Sequence, residues 1–160
     1  MLAVRCGLRA VYVGPTHFEG KRADAQIFFS TDTSLLDASV IHPASPYYAI
    51  STIASTHLGA ARFRERQKHN KYDSQAKSEG ASFFPFVLET YGGLGAEGSQ
   101  FLDKLAKLYV ENSPFPVNRT AFRTRVNRTI SIILQRGNAL VQLAGCISTR
   151  DAAGRRVGYS

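Results

Sequence analysis

Residues 22–41 read RADAQIFFSTDTSLLDASVI. Two apolar runs, Ala23–Ser30 and Leu35–Ile41, flank the polar triplet Thr31-Asp32-Thr33. Ile, Phe, Leu and Val in runs of this length favour strands, and so short a turn predicts a β-hairpin. Each run carries one aspartate: Asp24 lies six residues before Ser30, and Asp37 six after Thr31. A turn centred on Ser30–Thr31 sets the two opposite one another, and a longer turn shifts this by about one position. Directly opposed Cβ atoms are roughly 5 Å apart, where like charges repel. A divalent cation gives such a pair a reason to exist, because Mg²⁺ takes one or two carboxylates plus waters and phosphate oxygens. The plain alternative is that one aspartate sits at a strand end, solvated or paired with Arg22.

The elements on either side follow the same reading. Leu8–Val13 is a short apolar strand stopped by Gly14-Pro15. After His42-Pro43, residues 45–80 read as helical, with Ser45 as N-cap, Pro46 in the first turn and Gly80 as the stop. Gly59 and the Ser and Thr residues near it predict a division into two helices. Ser82–Thr90 (SFFPFVLET) is a third strong strand, and Pro85 within it implies an edge position or a bulge. Gly92, Gly93 and Gly95 make a turn; Phe101, Leu102, Leu105, Leu108 and Tyr109 then repeat at helix spacing across Ala96–Val110. Ser113–Val117 is a Pro-containing linker, and Asn118 can cap a last helix running to about Ala144. The fold class expected is α/β: a mixed sheet with a central hairpin, flanked by helices, plus C-terminal helices. The parts expected are a core over 1–112, a helical extension over 113–148 and a disordered basic tail over 149–160.

A chain of 160 residues is most simply one domain. Its net charge of +8 and pI near 9.8 favour a polyanionic partner. The distribution is more informative. Arg62, Arg64, Arg66, Lys68 and Lys71 stand against Glu65 alone between positions 62 and 71. From Asn112 onward Asp151 is the only acid, against eight arginines that include Arg123. Two nearly acid-free basic stretches suit a nucleic-acid backbone, although solvated helix faces would read the same way. No apolar run is long enough to span a bilayer, and residues 1–10 do not read as a signal peptide. Cys6 and Cys146 lack metal-type spacing and read as packed, reduced thiols, so an intracellular setting is expected, nuclear in a eukaryote. His17, His42, His57 and His69 show no metal-ligand spacing either. Gly92-Gly93-Leu94-Gly95 lacks the Gly-Lys-Ser/Thr ending of a phosphate loop.

Arg64, Lys68 and Lys71 share one face of the expected helix. They make either a solvated basic surface or, beside an acidic metal site, a source of positive charge for a scissile phosphate or its attacking water.

Taken in order, KRADAQIFF, LLDASVIHP, KHNKY and FFPFVLETYGGLG resemble the restriction-endonuclease-like domain downstream of the reverse transcriptase in some non-LTR retrotransposons and related retroelement proteins. That family writes a PD-(D/E)XK nuclease core as an Arg-Pro-Asp strand, a Leu-Asp-Val-Thr strand, a helix with Lys-x-x-Lys-Tyr, and a strand like F-x-P-x-V-V-E-T-x-G. The resemblance spans roughly residues 8–110, with weaker support from LQRGNAL in the last helix.

It implies metal-binding and catalytic roles for Asp24 and Asp37, a catalytic lysine at Lys68 or Lys71 followed by Tyr72, and an acid at Glu89 ending the last core strand. Nucleic-acid contacts would fall to Arg22, Arg64, Lys68, Lys71 and Arg123. Ala23 stands where the family has proline, Ser39 where Asp-x-Lys would place a lysine, and Gly14 where a glutamate often precedes proline. Only Met1–Gly7 are available for the family's first core helix. The expected function is a Mg²⁺- or Mn²⁺-dependent DNA endonuclease domain, within a longer polyprotein that also carries a reverse transcriptase, or a decayed copy of one. The alternatives are a nuclease-like domain that binds nucleic acid without cutting it, and an oligomerisation or scaffold module. The oligomeric state is left open.

Overall fold

The structure, a computed structural model, describes residues 9–11, 23–29 and 32–156, with side chains over 23–29 and 32–146. Gly14-Pro15, Arg22 and the turn centre at Ser30–Thr31 lie outside the described residues. The chain is mixed α/β. Its strands are β1 (Arg9–Val11), β2 (Ala25–Phe28), β3 (Thr33–Ile41) and β4 (Ala81–Glu89), joined in one sheet in that order. The helices are α1 (Ser51–Ala54), α2 (Gly59–Ser78), α3 (Ala96–Asn112) and α4 (Arg119–Arg156). β1–β2 and β2–β3 pair antiparallel, and β3–β4 pair parallel. A parallel pair needs a long crossover, which α1 and α2 supply.

Alternation along the strands assigns the two faces of the sheet. Leu35 and Phe83 pack with Tyr72 and Ala76 of α2, while Ile41 and Val87 pack with Ala60 and Ala61 of the same helix. Phe84, on the other face of β4, meets Phe101 of α3 at 5.4 Å between ring centres. One helix therefore covers each face of the β3–β4 pair. Pro85 is fully buried, yet the only strand paired with β4 among the described residues is β3, so a residue without N–H is tolerated there.

Helix formation does not begin at Ser45-Pro46. The Ser45 carbonyl instead accepts from Tyr48 N–H (2.9 Å) and Ala49 N–H (3.0 Å), and α1 starts at Ser51. Tertiary packing overrides local propensity here, because the turn delivers Tyr48 into the cluster with Ile41, Ala60, Ala61 and Val87. The break at Gly59 is present. Gly80 closes α2 in the left-handed region (φ 63°), the usual terminating geometry.

Two helix starts lack a cap of their own and borrow one from elsewhere. The Glu89 carboxylate, at the end of β4, accepts the Ala61 N–H of α2 (3.2 Å). The Glu65 carboxylate, on α2, accepts the Glu97 N–H of α3 (3.1 Å). Each satisfies an orphan first-turn donor and suits the positive end of the helix dipole. Gly95 makes the second contact possible, since a Cβ there would collide with Glu65 Oε1.

Asn118 caps α4, its Oδ1 accepting from Thr120 N–H at 2.7 Å. Phe122 stacks on Tyr109 of α3 at 4.7 Å. The helix runs on to Arg156, past the expected end near position 144 and through most of the stretch read as a basic tail. No proline follows Pro116, so the strongest helix breaker is absent from this stretch. The chain divides into two compact units, Met1–Thr124 and Arg125–Ser160. The second unit is the body of α4. It exposes Ile133, Leu140 and Val141, and Cys146 is exposed there too, not packed as expected. Among the described residues, no helix is long and apolar enough to cross a membrane.

Candidate functional site

The site arises where β3 and α2 lie against each other. Leu35 and Ile41, six residues apart on β3, span about 20 Å. Their partners Ala76 and Ala61 on α2 span about 22 Å. The middle of the helix, near Lys68, therefore falls over the middle of the strand, near Asp37. Asp37 shares its side of β3 with Leu35, Ser39 and Ile41, Lys68 shares the buried face of α2 with Ala61, Glu65, Tyr72 and Ala76, and both are buried.

Lys68 Nζ pairs with Asp37 Oδ2. It also donates to the backbone carbonyls of Asp37 (3.3 Å) and Ala38 (3.4 Å). All three ammonium donors are thus directed at β3. Burial is the strongest influence on Asp37 and raises its pKa; the Lys68 hydrogen bond and charge oppose this, and the neighbouring Asp24 carboxylate adds to the rise. The net result lies above the ordinary aspartate value.

Asp24 reaches the same spot by a different route from a simple cross-strand pair. The β2–β3 register runs from Phe28↔Thr33 to Ala25↔Leu36, and one further step would oppose Asp24 to Asp37. The chain bends there instead, and the Asp24 N–H donates to Leu36 O (2.9 Å). The exposed Asp24 side chain turns back onto β3, its Oδ2 accepting from Ala38 N–H at 2.7 Å. This slip eases the repulsion that direct opposition would impose.

The two carboxylates line an open pocket of about 220 Å³ together with Ser39, Arg64, Gln67, Lys68, Lys71 and Tyr72. Lys71 Nζ donates to the Tyr72 hydroxyl (2.9 Å), and the Tyr72 ring is buried against Phe83. Arg64 donates to Gln67 Oε1 (3.1 Å). Among the described residues Ser39 Oγ, a buried hydroxyl, has no hydrogen-bond partner. The two neighbouring carboxylates form a hard, oxygen-only donor set, which fits Mg²⁺ or Mn²⁺. Among the described residues no three His, Cys, Asp or Glu side chains are grouped to hold a metal. Any cation at this pocket would therefore complete its coordination from water and substrate.

Asp24, Asp37, Arg64, Lys68, Lys71 and Tyr72 are thus brought together. Glu89 is not: its carboxylate is committed to α2. Arg123 is likewise directed elsewhere, donating to Ser99 O (2.8 Å) and Ser99 Oγ (3.1 Å) on α3. Arg22 lies outside the described residues. No protein-family model matches the chain, and neither a curated protein nor a solved structure shows significant similarity to it.

Sequence reading missed Ser39 and Gln67 as parts of the pocket. Gln67 carried a signal, lying three residues after Arg64 on a helix. It also missed a polar cluster on α2, where the His69 ring donates to Asp73 (2.6 Å) and to Glu97 of α3 (2.7 Å). Burial works against the charge on His69, but these two carboxylates outweigh it and raise its pKa.

Proposed function

We propose that this chain is a Mg²⁺- or Mn²⁺-dependent DNA endonuclease domain with a restriction-endonuclease-like, PD-(D/E)XK-type core. The observation that carries the reading is the convergence of Asp24, Asp37 and Lys68 on one open pocket whose remaining charged wall is Arg64 and Lys71. Asp24 and Asp37 would hold the cation. When bound, it supplies positive charge against the phosphate and makes water a better nucleophile. The Lys68 hydrogen bond and charge oppose the effect of burial on Asp37. Arg64 and Lys71 offer the charge-assisted donors that a phosphodiester needs. The ordered family motifs add the biological setting: nicking of a target site for retroelement insertion, in company with a reverse transcriptase.

A second reading has its own support. Lys68 already neutralises Asp37 without any cation, so the pocket can hold a phosphate and leave it intact. Supercoiled plasmid incubated with Mg²⁺ or Mn²⁺ separates the two. The nuclease reading expects nicking by wild type that chelation and Asp37→Ala both remove. Equal background nicking by wild type and Asp37→Ala overturns it. Salt-sensitive DNA binding without a calorimetric Mg²⁺ or Mn²⁺ site would then establish the non-cutting domain.

A further inference from the structure

Tyr47 lies in the turn that follows β3, one hydrogen bond away from the pocket-lining Gln67. Gln67 connects it to the site: its Nε2 donates to the Tyr47 hydroxyl (2.6 Å), while its Oε1 accepts from Arg64 (3.1 Å). Both Gln67 and Arg64 line the pocket. Edge-on contacts with Tyr48 (4.9 Å, 87°) and Phe63 (6.0 Å, 70°) further set the ring plane. Held at one end by a hydrogen bond and against two rings by T-shaped contacts, Tyr47 is still 57% exposed. Tyr48, its neighbour in sequence, is 8% exposed, so the turn buries one aromatic and presents the other. A rigid, solvent-facing aromatic one side chain away from a cationic phosphate pocket has the chemistry of a base-stacking platform.

We infer that Tyr47 stacks an unpaired nucleobase flanking the phosphate held at Arg64 and Lys71. This rests on the nucleic-acid reading of the pocket and names its substrate class: DNA with a single-stranded nucleotide beside that phosphate, in preference to continuous duplex. A base within duplex stacks on its neighbours and has no free face to offer, whereas an unpaired base can lie on the ring. The Gln67 hydrogen bond ties the platform to Arg64, so phosphate and base are read at a fixed separation.

The chain contains no tryptophan, so Tyr47→Trp introduces a single tryptophan, selectively excitable beside the tyrosines, at the position in question. The Tyr47→Trp protein is titrated with a short oligothymidylate and with a blunt duplex of matched length, and wild type, Tyr47→Phe and Tyr47→Ala are compared by fluorescence anisotropy. The expected result is quenching of the introduced tryptophan by the oligothymidylate and little by the duplex. Tyr47→Ala should weaken oligothymidylate binding by on the order of tenfold and leave duplex binding unchanged. Tyr47→Phe, which keeps the ring, should retain most of the affinity. Binding of oligothymidylate without quenching, or an equal loss of both ligands in Tyr47→Ala, overturns the stacking role while the nucleic-acid reading stands. Failure of wild type to bind either ligand overturns both.

Discussion

Asp37 and Glu65 are both buried carboxylates at the α2–sheet layer, and burial is the main force raising the pKa of each. What answers that burial differs. Glu65 accepts a backbone N–H at the start of α3, a neutral donor fixed by the fold. Asp37 meets the ammonium of Lys68 and a second carboxylate, in a pocket open to solvent. A carboxylate satisfied by a helix start has its lone pairs spent on architecture. One balanced by a movable side-chain charge, next to a like charge, keeps the capacity to exchange its partner for a cation. Burial of an acid is therefore no guide to function until its partner is known.

The sharpest break of this contrast is Asp37→Asn. It should lower Mg²⁺-dependent plasmid nicking by on the order of 100-fold or more at a temperature where the variant is folded, and it should also lower the melting temperature, because the buried Lys68 ammonium loses its counter-charge; gel assay and thermal melting read the two effects. Glu89→Ala belongs to the other class. It leaves a first-turn donor of α2 unsatisfied and should cost about 2 kcal/mol, a melting-temperature drop of about 4–8 °C. A Glu89→Ala protein that keeps its melting temperature but loses nicking would move Glu89 from architecture to chemistry. Gly95→Ala displaces Glu65 from its cap and should cost about 1 kcal/mol by the same measurement.

The pH dependences divide similarly. Protonation of Asp37 removes the partner of Lys68. In the metal-free protein burial raises its pKa, so an NMR titration without divalent cation should find Asp37 protonating above the ordinary aspartate range, and protonation at or below that range would contradict the assignment. His69 gives the smallest effect. Its folded pKa is raised, so its stabilisation is complete below the unfolded value of about 6.5 and fades as pH rises through the folded value. The melting-temperature gap between wild type and His69→Gln should narrow as pH rises above about 6.5.

The hairpin was legible because its two apolar runs and polar triplet satisfy strand and turn chemistry together. Asp24 and Asp37 were legible because an aspartate is out of place in such a strand. α2 was legible as a helix, but its buried face was not. That face is Ala61, Glu65, Lys68, Tyr72 and Ala76, with two charges where an apolar stripe is normally read. Lys68 therefore looked as solvated as Arg66. Arg123 counted toward a basic surface by charge alone, yet its guanidinium is engaged with Ser99. The end of α4 was misplaced because composition suggested a tail while the absence of proline permitted a helix.

By itself the sequence determined the strands, the helical stretch between two of them, and the residue types that the proposed site uses. These follow from local rules of periodicity, turn chemistry and donor type. Tertiary structure alone decided which charges meet. Lys68 and Asp37 are 31 residues apart and face each other because strand and helix rise by different amounts per residue over the same distance. Tertiary structure also sent Glu65 and Glu89 to helix starts and slipped Asp24 past direct opposition to Asp37. A carboxylate carries no mark of its partner, and only the packed fold assigns one.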